Sequence, residues 1–180
     1  MTKKLSILIC HIREREKVFQ RLLKTLLAQY TDEIEIIVSE TDLTIGEKRN
    51  QLLDAATGDY IVFVDDDDDV HKKYVRLILS AIKTKPDCVG MQGIIHRPGM
   101  EGFVFKHSLK CKEWKEDVKK KMFFRTPNHL NPVKREIATR VRFVDKMNFG
   151  EDNEYANRIK KVLKTEIFIE EPIYFYYNYK

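Results

Sequence analysis

The sequence has little that is typical of a membrane, secreted or disulfide-bonded protein. No apolar run approaches the roughly 20 residues that a membrane-spanning helix needs. The apolar segment near the N-terminus is short and followed at once by charged residues, unlike a secretory signal. The three cysteines are widely spaced and odd in number, which fits neither a disulfide framework nor a zinc site. We therefore expect a soluble, cytoplasmic protein without a membrane span.

The chain also lacks internal repeats, low-complexity segments and any linker that would mark a domain boundary. Its 180 residues, 43% of them hydrophobic, suffice for one domain with a substantial core, and we expect a single domain over residues 1–180. Lysine and arginine exceed aspartate and glutamate by 33 to 28. This mild basic bias suits an anionic partner such as nucleic acid, but it is equally common on ordinary solvated surfaces.

Short apolar runs alternate with helical patterns in the first half of the chain. Continuous apolar runs at residues 5–10, 34–39 and 60–64 are typical of buried strands. Between them, residues 18–27 carry leucines at helical spacing, and residues 46–57 read as a helix that ends at a glycine. This alternation predicts a parallel sheet with right-handed crossovers, which gathers ligands at the carboxyl ends of its strands.

The pattern changes beyond Pro86. The segments "CVGMQGIIH" and "GFVFKHSL" resemble strands around a turn, a helix is expected at residues 151–163, and residues 166–179 alternate as one or two strands with a break at Pro172. The sequence therefore predicts an α/β fold with a Rossmann-like, mostly parallel central sheet flanked by helices, and a small antiparallel part in the C-terminal half.

Five consecutive aspartates, Asp65 to Asp69, follow the third predicted strand. Such a run costs stability unless a cation or a helix N-terminus offsets its repulsion. Alternate residues of an extended chain point the same way, so Asp65 and Asp67, or Asp67 and Asp69, could face one divalent ion. The alternative is that one of the last three aspartates caps the helix that follows. A calcium-binding EF-hand is not indicated, because its glycine and its final glutamate are missing.

The order of several segments resembles the family-two glycosyltransferases with the glycosyltransferase-A fold, over nearly the whole chain. These segments are "SILICHIRERE", "EIEIIVSETD", "GEKRNQLLDAATGDYIVFVDDDDDV", "NHLNPVKREIA" and "FGEDNEYANRI". The resemblance implies transfer of a sugar from a nucleotide-diphosphate sugar, first of all a UDP-sugar, to a glycan or another hydroxyl acceptor, with inversion and with Mn²⁺ or Mg²⁺. It also implies a nucleotide-binding half at residues 1–85 and an acceptor- and sugar-binding half at residues 86–180.

The resemblance assigns the aspartates and the first loop to the donor and its metal ion. The family's Asp-x-Asp signature falls on Asp65, Asp66 and Asp67, with Asp67 as the direct metal ligand and Asp65 reaching the donor's ribose or the metal. The loop after the first strand, here with His11 and Arg13, cups the nucleobase and ribose. Cys-His-Ile-Arg stands there in place of the family's usual Pro-Thr-Tyr-Asn.

Three further donor contacts follow from the resemblance. The acidic contact to the base maps to Glu40 or Asp42. Arg49 is placed beside the nucleobase. For the neighbouring Lys48, a place on an exposed basic helix face is as well supported as a donor contact. His129 is expected to touch the donor's phosphates or the metal, although a lone histidine is more often an ordinary packed residue.

The family's catalytic base maps to Asp152, with Glu151 as the alternative, because inversion needs a carboxylate opposite the leaving group. Either residue could instead act only as an N-cap or as a negative charge that interacts favourably with the dipole of its helix. Trp114, the single tryptophan, is either an acceptor-stacking platform or an anchor for a loop.

Three other functions remain open. A glycosyltransferase that acts on modified bases in DNA would use the basic surface. A non-catalytic module binding sugar or nucleic acid would leave the aspartate cluster without a purpose. A metal-dependent nucleotidyltransferase would use similar carboxylates, but it would carry a glycine-rich motif near the first strand, where "LICHIRERE" has no glycine.

Overall fold

The computed structural model of the protein describes residues 2–177. Its first half contains three strands and two helices: β1 (Leu5–Cys10), α1 (Glu16–Leu27), β2 (Ile34–Ser39), α2 (Ile45–Ala55) and β3 (Tyr60–Phe63). Strand β1 lies between β2 and β3 and is parallel to both. The parallel arrangement predicted from the alternating pattern is therefore confirmed.

Beyond β3 the structure describes eight further strands, all except β5 of four residues or fewer, and three helices. They are β4 (Asp69–Val70), α3 (Tyr74–Ala81), β5 (Cys88–His96), β6 (Val104–His107), β7 (Lys115–Asp117), β8 (Met122–Arg125), β9 (Val133–Lys134), α4 (Arg135–Val141), α5 (Glu151–Ile159), β10 (Glu166–Phe168) and β11 (Tyr174–Tyr177). The sheet order is β2-β1-β3-β9-β5-β6-β8-β7. The two-residue strand β9 is antiparallel to β3 and β5 and joins the two halves, while β10 and β11 run parallel to β5.

Both faces of the central sheet are covered, which explains the continuous apolar sequence of β1. Ile7 faces a core that includes Leu22 of α1 and Ile78 of α3. Leu8, the next residue along the strand, faces a second core with Leu53 of α2 and further residues from α4 and α5. Because alternate residues of a strand point to opposite faces, Leu5, Ile7 and Ile9 of β1 serve the first core, and Leu8 serves the second.

A loop from the second half is attached to the N-terminus of α2. The Gly46 amide donates to the Met147 carbonyl at 3.2 Å, and the Asn50 side chain exchanges hydrogen bonds with the backbone of Phe143. A β-carbon on Gly46 would lie only 2.1 Å from the Val144 carbonyl oxygen, so this approach requires glycine. The loop leads directly into α5, and its attachment therefore fixes where α5 begins.

Several sequence-based expectations differ from the structure. The charged segment before Lys121 contains β7 and continues into β8, and α4 lies where no helix was predicted. Helix α5 ends at Ile159 rather than residue 163. The proposed aspartate cap is wrong, because α3 has Lys73 at its N-cap and no capping side-chain hydrogen bond. The final alternating segment forms β10 and β11 around Pro172, and its residues 178 and 179 lie outside the described range.

No helix within residues 2–177 combines the length and the apolar character required to cross a bilayer.

Candidate functional site

The aspartate run starts just beyond the carboxyl end of β3 and forms a turn. The Asp68 amide donates a hydrogen bond to the Asp65 carbonyl at 3.2 Å. The run is therefore not the extended chain from which the alternation of the aspartates was predicted, and whether Asp65 and Asp67 face one ion stays a prediction.

Asp66 anchors the loop after β1 to the loop after β3. Its side chain is 1% exposed, and its Oδ2 lies 2.9 Å from His11 Nδ1 and accepts the Ile12 amide at 3.0 Å. The other ring nitrogen of His11 lies 3.0 Å from a Glu16 carboxylate oxygen, and the ring stacks on Phe19. The structure thus brings His11 and Asp66 together, and both direct their polar atoms at protein groups.

Asp67 is paired with Arg15, a residue to which the sequence analysis assigned no role. One guanidinium nitrogen of Arg15 lies 3.1 Å from Asp67 Oδ2, and the other donates to Asp66 Oδ1 at 2.8 Å. Burial and the neighbouring Asp65 raise the pKa of Asp67 to about 6, although Arg15 opposes the shift. Arg13, which was predicted to contact the donor, is exposed and makes no ion pair within residues 2–177. Both arginines lie in the basic segment "HIREREK", and this segment was the feature of the sequence that could have drawn attention to Arg15.

Asp65 sits between two basic side chains. Its carboxylate oxygens lie 3.5 Å from an Arg49 nitrogen and 3.4 Å from His129 Nε2, and its amide donates to the Tyr174 hydroxyl. Burial favours the neutral acid, but His129 and then Arg49 outweigh it and hold the pKa of Asp65 well below its usual range. Asp65 is therefore an ionised carboxylate that lies between the Arg49 guanidinium and the His129 imidazole.

The last two aspartates are bound to the protein. Asp68 is fully buried and accepts hydrogen bonds from the Tyr174 hydroxyl and the Tyr177 amide, both at 2.7 Å. Burial, with a further contribution from Asp65, raises the pKa of Asp68 to about 9. Asp69 Oδ2 lies 3.1 Å from Arg21 Nε. Each of the five carboxylates therefore has a protein partner, and Asp66 and Asp67 share Arg15.

Arg49 links the aspartate turn to the start of α5. Its side chain is 4% exposed and lies over the rings of Phe63 and Phe143, and one guanidinium nitrogen is 2.6 Å from Glu151 Oε1. The resemblance placed Arg49 beside the nucleobase, whereas the structure shows it inside the protein between two carboxylates. Lys48 is 7% exposed, so the suggestion of an exposed basic helix face is wrong for this residue.

An open cleft of about 450 Å³ lies beside the aspartate turn. Asp65 and His129 line one part of it, and Asp152 lines it from the first turn of α5. Trp114 also lines the cleft; its indole nitrogen donates to Thr126 Oγ1 at 3.2 Å, and the Arg125 guanidinium lies 4.8 Å from its ring centre. The cleft thus combines carboxylates from two distant parts of the sequence with an aromatic surface.

Glu40 and Asp42 follow the carboxyl end of β2 and are exposed. Within residues 2–177 neither side chain makes a hydrogen bond or an ion pair, and neither lines the cleft. They stand at the same edge of the sheet as the aspartate turn, because β2 runs parallel to β1 and β3. The structure does not bring them into contact with the other predicted donor residues.

The aspartate turn fits a divalent cation only in part. Among residues 2–177 no group of three His, Cys, Asp or Glu side chains forms a ready-made metal site. Asp65 and Asp67 are nonetheless partly exposed hard-oxygen ligands, and burial, followed by the nearby charge of Asp65, raises the pKa of Asp67. These residues suit an ion that takes the rest of its coordination from a bound anionic ligand.

Comparison with known proteins places this arrangement in a family. The model of the family described as "Glycosyl transferase family 2" matches residues 39–147, more than half of the chain, including the aspartate turn, His129 and the loop before α5. The chain belongs to glycosyl transferase family 2. A relative, the amylovoran biosynthesis glycosyltransferase AmsB of Erwinia amylovora, is 44% identical over 50 residues, which are 28% of this chain and 17% of AmsB.

Solved structures share the fold of this family 2 chain. S. aureus TarS 1-349 in complex with UDP-GlcNAc has a TM-score of 0.74 at 15% identity, over 98% of this chain and 59% of that one. The mannosyltransferase PcManGT from Pyrobaculum calidifontis, in complex with GDP-Man and Mn²⁺, has a TM-score of 0.65 at 13% identity, over 97% of this chain and 57% of that one. The expected glycosyltransferase-A fold is confirmed, and the chain spans less than two thirds of the length of these proteins.

Proposed function

We propose that this family 2 chain transfers a sugar from a nucleoside-diphosphate sugar to an acceptor hydroxyl, with inversion at the anomeric carbon and with Mn²⁺ or Mg²⁺ as cofactor. The observation that carries this proposal is the cleft that is lined both by Asp65 of the aspartate turn with the neighbouring His129 and by Asp152 at the start of α5. An inverting transfer needs two functions, one at the departing diphosphate and one at the attacking hydroxyl. The two sides of the cleft can supply them separately.

Asp152 is the better candidate for the general base. A base must be free to accept a proton from the acceptor hydroxyl, and Asp152 lines the cleft. Glu151 is 8% exposed and lies 2.6 Å from an Arg49 nitrogen. Glu151 is bound to this buried guanidinium and does not line the cleft, so it is not free to contact an acceptor hydroxyl. Glu151 is therefore assigned to holding the start of α5, and Asp152 to the proton transfer.

The aspartate turn is assigned to the leaving group. Asp67 and Asp65 would hold the divalent cation, which when bound would offset the negative charge that develops on the departing nucleoside diphosphate. His129, 3.4 Å from Asp65, is placed to donate a hydrogen bond to a phosphate oxygen. The contact between His11 and Asp66 fixes the conformation of the loop after β1, which would receive the nucleoside.

The remaining donor contacts are proposed from position alone. Arg13, Glu40 and Asp42 are exposed near the carboxyl ends of β1 and β2, where a nucleoside would lie in an open sheet of this kind. A UDP-sugar is the first donor to test, since TarS 1-349 was solved with UDP-GlcNAc and with UDP, and a GDP-sugar is the second, since PcManGT was solved with GDP-Man. A glycan hydroxyl is the first acceptor class, and a modified base in DNA stays a prediction.

The test is a panel of UDP- and GDP-sugars incubated with Mn²⁺, the protein and candidate acceptors, with release of the nucleoside diphosphate as the readout. Asp152→Asn should bind donor almost normally and lose roughly two to four orders of magnitude in transfer, the usual effect of removing a positioned base. Asp67→Ala should lose metal-dependent donor binding as well as transfer. Asp32→Asn, the same chemical change at an exposed carboxylate before β2, is the control.

Three results would contradict the proposal. They are a full rate of transfer by Asp152→Asn, equal donor binding with Mn²⁺ and with a chelator, and tight donor binding without turnover for every acceptor. The last result would favour a non-catalytic module, although family membership argues against that module and against a nucleotidyltransferase.

A further inference from the structure

Arg15 occupies the position next to Asp67 at which the proposed function requires a divalent cation. Its guanidinium bridges two carboxylates, with one nitrogen 2.8 Å from Asp66 and another 3.1 Å from Asp67. The two contacts differ in their surroundings, because the Asp66 side chain is 1% exposed and the Asp67 side chain is 24% exposed. The inner contact is therefore part of the protein interior, while the outer one faces solvent.

The charges around the turn show why a cation is needed at this point. Asp65 lies next to the Arg49 guanidinium on its other side and contacts His129, and Asp66 contacts His11 and the Ile12 amide as well as Arg15. Within residues 2–177, Asp67 makes no salt bridge other than the one to Arg15. Arg15 thus supplies the positive charge that a metal ion would otherwise supply to Asp67.

We propose that Arg15 is a resident counter-ion that a divalent cation must displace from Asp67, an inference that rests on the proposed function. The contact to Asp66 keeps the guanidinium next to the turn, and the nitrogen released from Asp67 becomes a donor for an anion. A nucleoside diphosphate is such an anion, so nucleotide and metal ion each favour the same rearrangement of Arg15. Binding of the two is then cooperative, and the cation alone binds weakly.

The alternative is that Arg15 only holds Asp67 in place for the ion. The two roles predict opposite signs. If Arg15 competes with the cation, its removal strengthens binding of the cation alone. If Arg15 is only a support for Asp67, its removal disorders the ligand and weakens binding of the cation.

The experiment is a titration with Mn²⁺, in which free Mn²⁺ is measured by electron paramagnetic resonance with and without UDP or GDP. Arg15→Gln should bind Mn²⁺ alone about two- to fivefold more tightly than the unmodified protein, the scale expected for a partly exposed ion pair. It should also lose most of the increase in Mn²⁺ affinity that the nucleotide produces. Lys17→Gln, which removes one positive charge from an exposed side chain two residues further along, is the matched control.

Arg15→Lys keeps the charge, but lysine has no planar guanidinium with which to bridge both carboxylates. Its Mn²⁺ affinity should therefore lie between that of the unmodified protein and that of Arg15→Gln. It also tests the proposal if Arg15→Gln does not fold, which circular dichroism would show. Mn²⁺ affinity that falls, or that changes no more than in Lys17→Gln, overturns the inference. Failure of the proposed function is separate, because a protein that transfers no sugar can still show the tighter Mn²⁺ binding of Arg15→Gln.

Discussion

Replacing Arg49 by methionine should strongly destabilise the protein, because Arg49 is a buried cation between two carboxylates. The side chain is 4% exposed, and its contact of 2.6 Å to Glu151 joins residues 102 positions apart. Methionine keeps most of the aliphatic volume next to Phe63 and Phe143 but leaves the Glu151 carboxylate buried without its partner. Breaking a buried ion pair in this way costs about 3–5 kcal/mol.

That cost corresponds to a measurable change in thermal stability. A domain of this size loses about 2–4 °C in its unfolding midpoint for each kcal/mol, so Arg49→Met should unfold roughly 6–20 °C lower. The assay is urea and thermal unfolding followed by circular dichroism. Arg142→Met is the matched control, since Arg142 makes two contacts of 2.6 and 3.0 Å to Asp54 at the surface, where a pair contributes only about 0.2–1 kcal/mol.

A double variant separates the loss of an ion pair from the loss of packing. Arg49→Met combined with Glu151→Met removes both charges, so it should be more stable than Arg49→Met alone, because no buried charge is left without a partner. The reasoning is refuted if Arg49→Met costs no more than Arg142→Met, or if the two substitutions at 49 and 151 are simply additive.

Three further outcomes follow from the structure. The Asp87 carboxylate accepts hydrogen bonds from a lysine and two backbone amides, which outweigh burial and lower its pKa. Asp87→Asn should therefore have a lower free energy of unfolding than the unmodified protein at neutral pH. Urea unfolding should show that this difference shrinks as the pH falls below about 4. Gly46→Ala should displace the Val144 carbonyl and lower transfer more than donor binding, which separate assays of the two would detect, because the shifted loop precedes α5. Tyr174→Phe removes the hydroxyl that donates to Asp68 and should lower the free energy of unfolding by about 1–3 kcal/mol. It should also weaken nucleotide binding measured by calorimetry. Equal nucleotide affinity would show that this hydrogen bond between β11 and the aspartate turn does not shape the nucleotide site.

The central sheet was predictable from the sequence because burial on both faces makes β1, β2 and β3 recognisable as short apolar runs. The strands β7 and β8 were missed because the lysines and acidic residues before and within β7 are typical of a solvated loop. Helix α4 was missed because Pro132 and the charged residues after it resemble irregular structure. In these cases tertiary contacts outweigh local preference.

The site shows the same division between local and long-range information. The sequence places Asp65 to Asp67 at the end of a strand, and the structure has them there. It could not indicate that the run forms a turn, nor that Arg15 reaches two of its carboxylates, because both depend on how separate loops meet. The partner of Arg49 was missed for a similar reason, since Glu151 follows it by 102 residues and only the fold brings them together.

The contact of β11 with the aspartate turn has a consequence for the order in which the protein becomes functional during synthesis. Tyr174 and the Tyr177 amide supply the hydrogen bonds of the buried Asp68, and β11 is made after every other described element. The nascent chain can therefore assemble the parallel strands early, as domains do on the ribosome, but it cannot complete the aspartate turn until residues 174–177 have emerged. The turn to which we assign the departing nucleoside diphosphate therefore gains the hydrogen bonds of Asp68 only after residues 174–177 have been made.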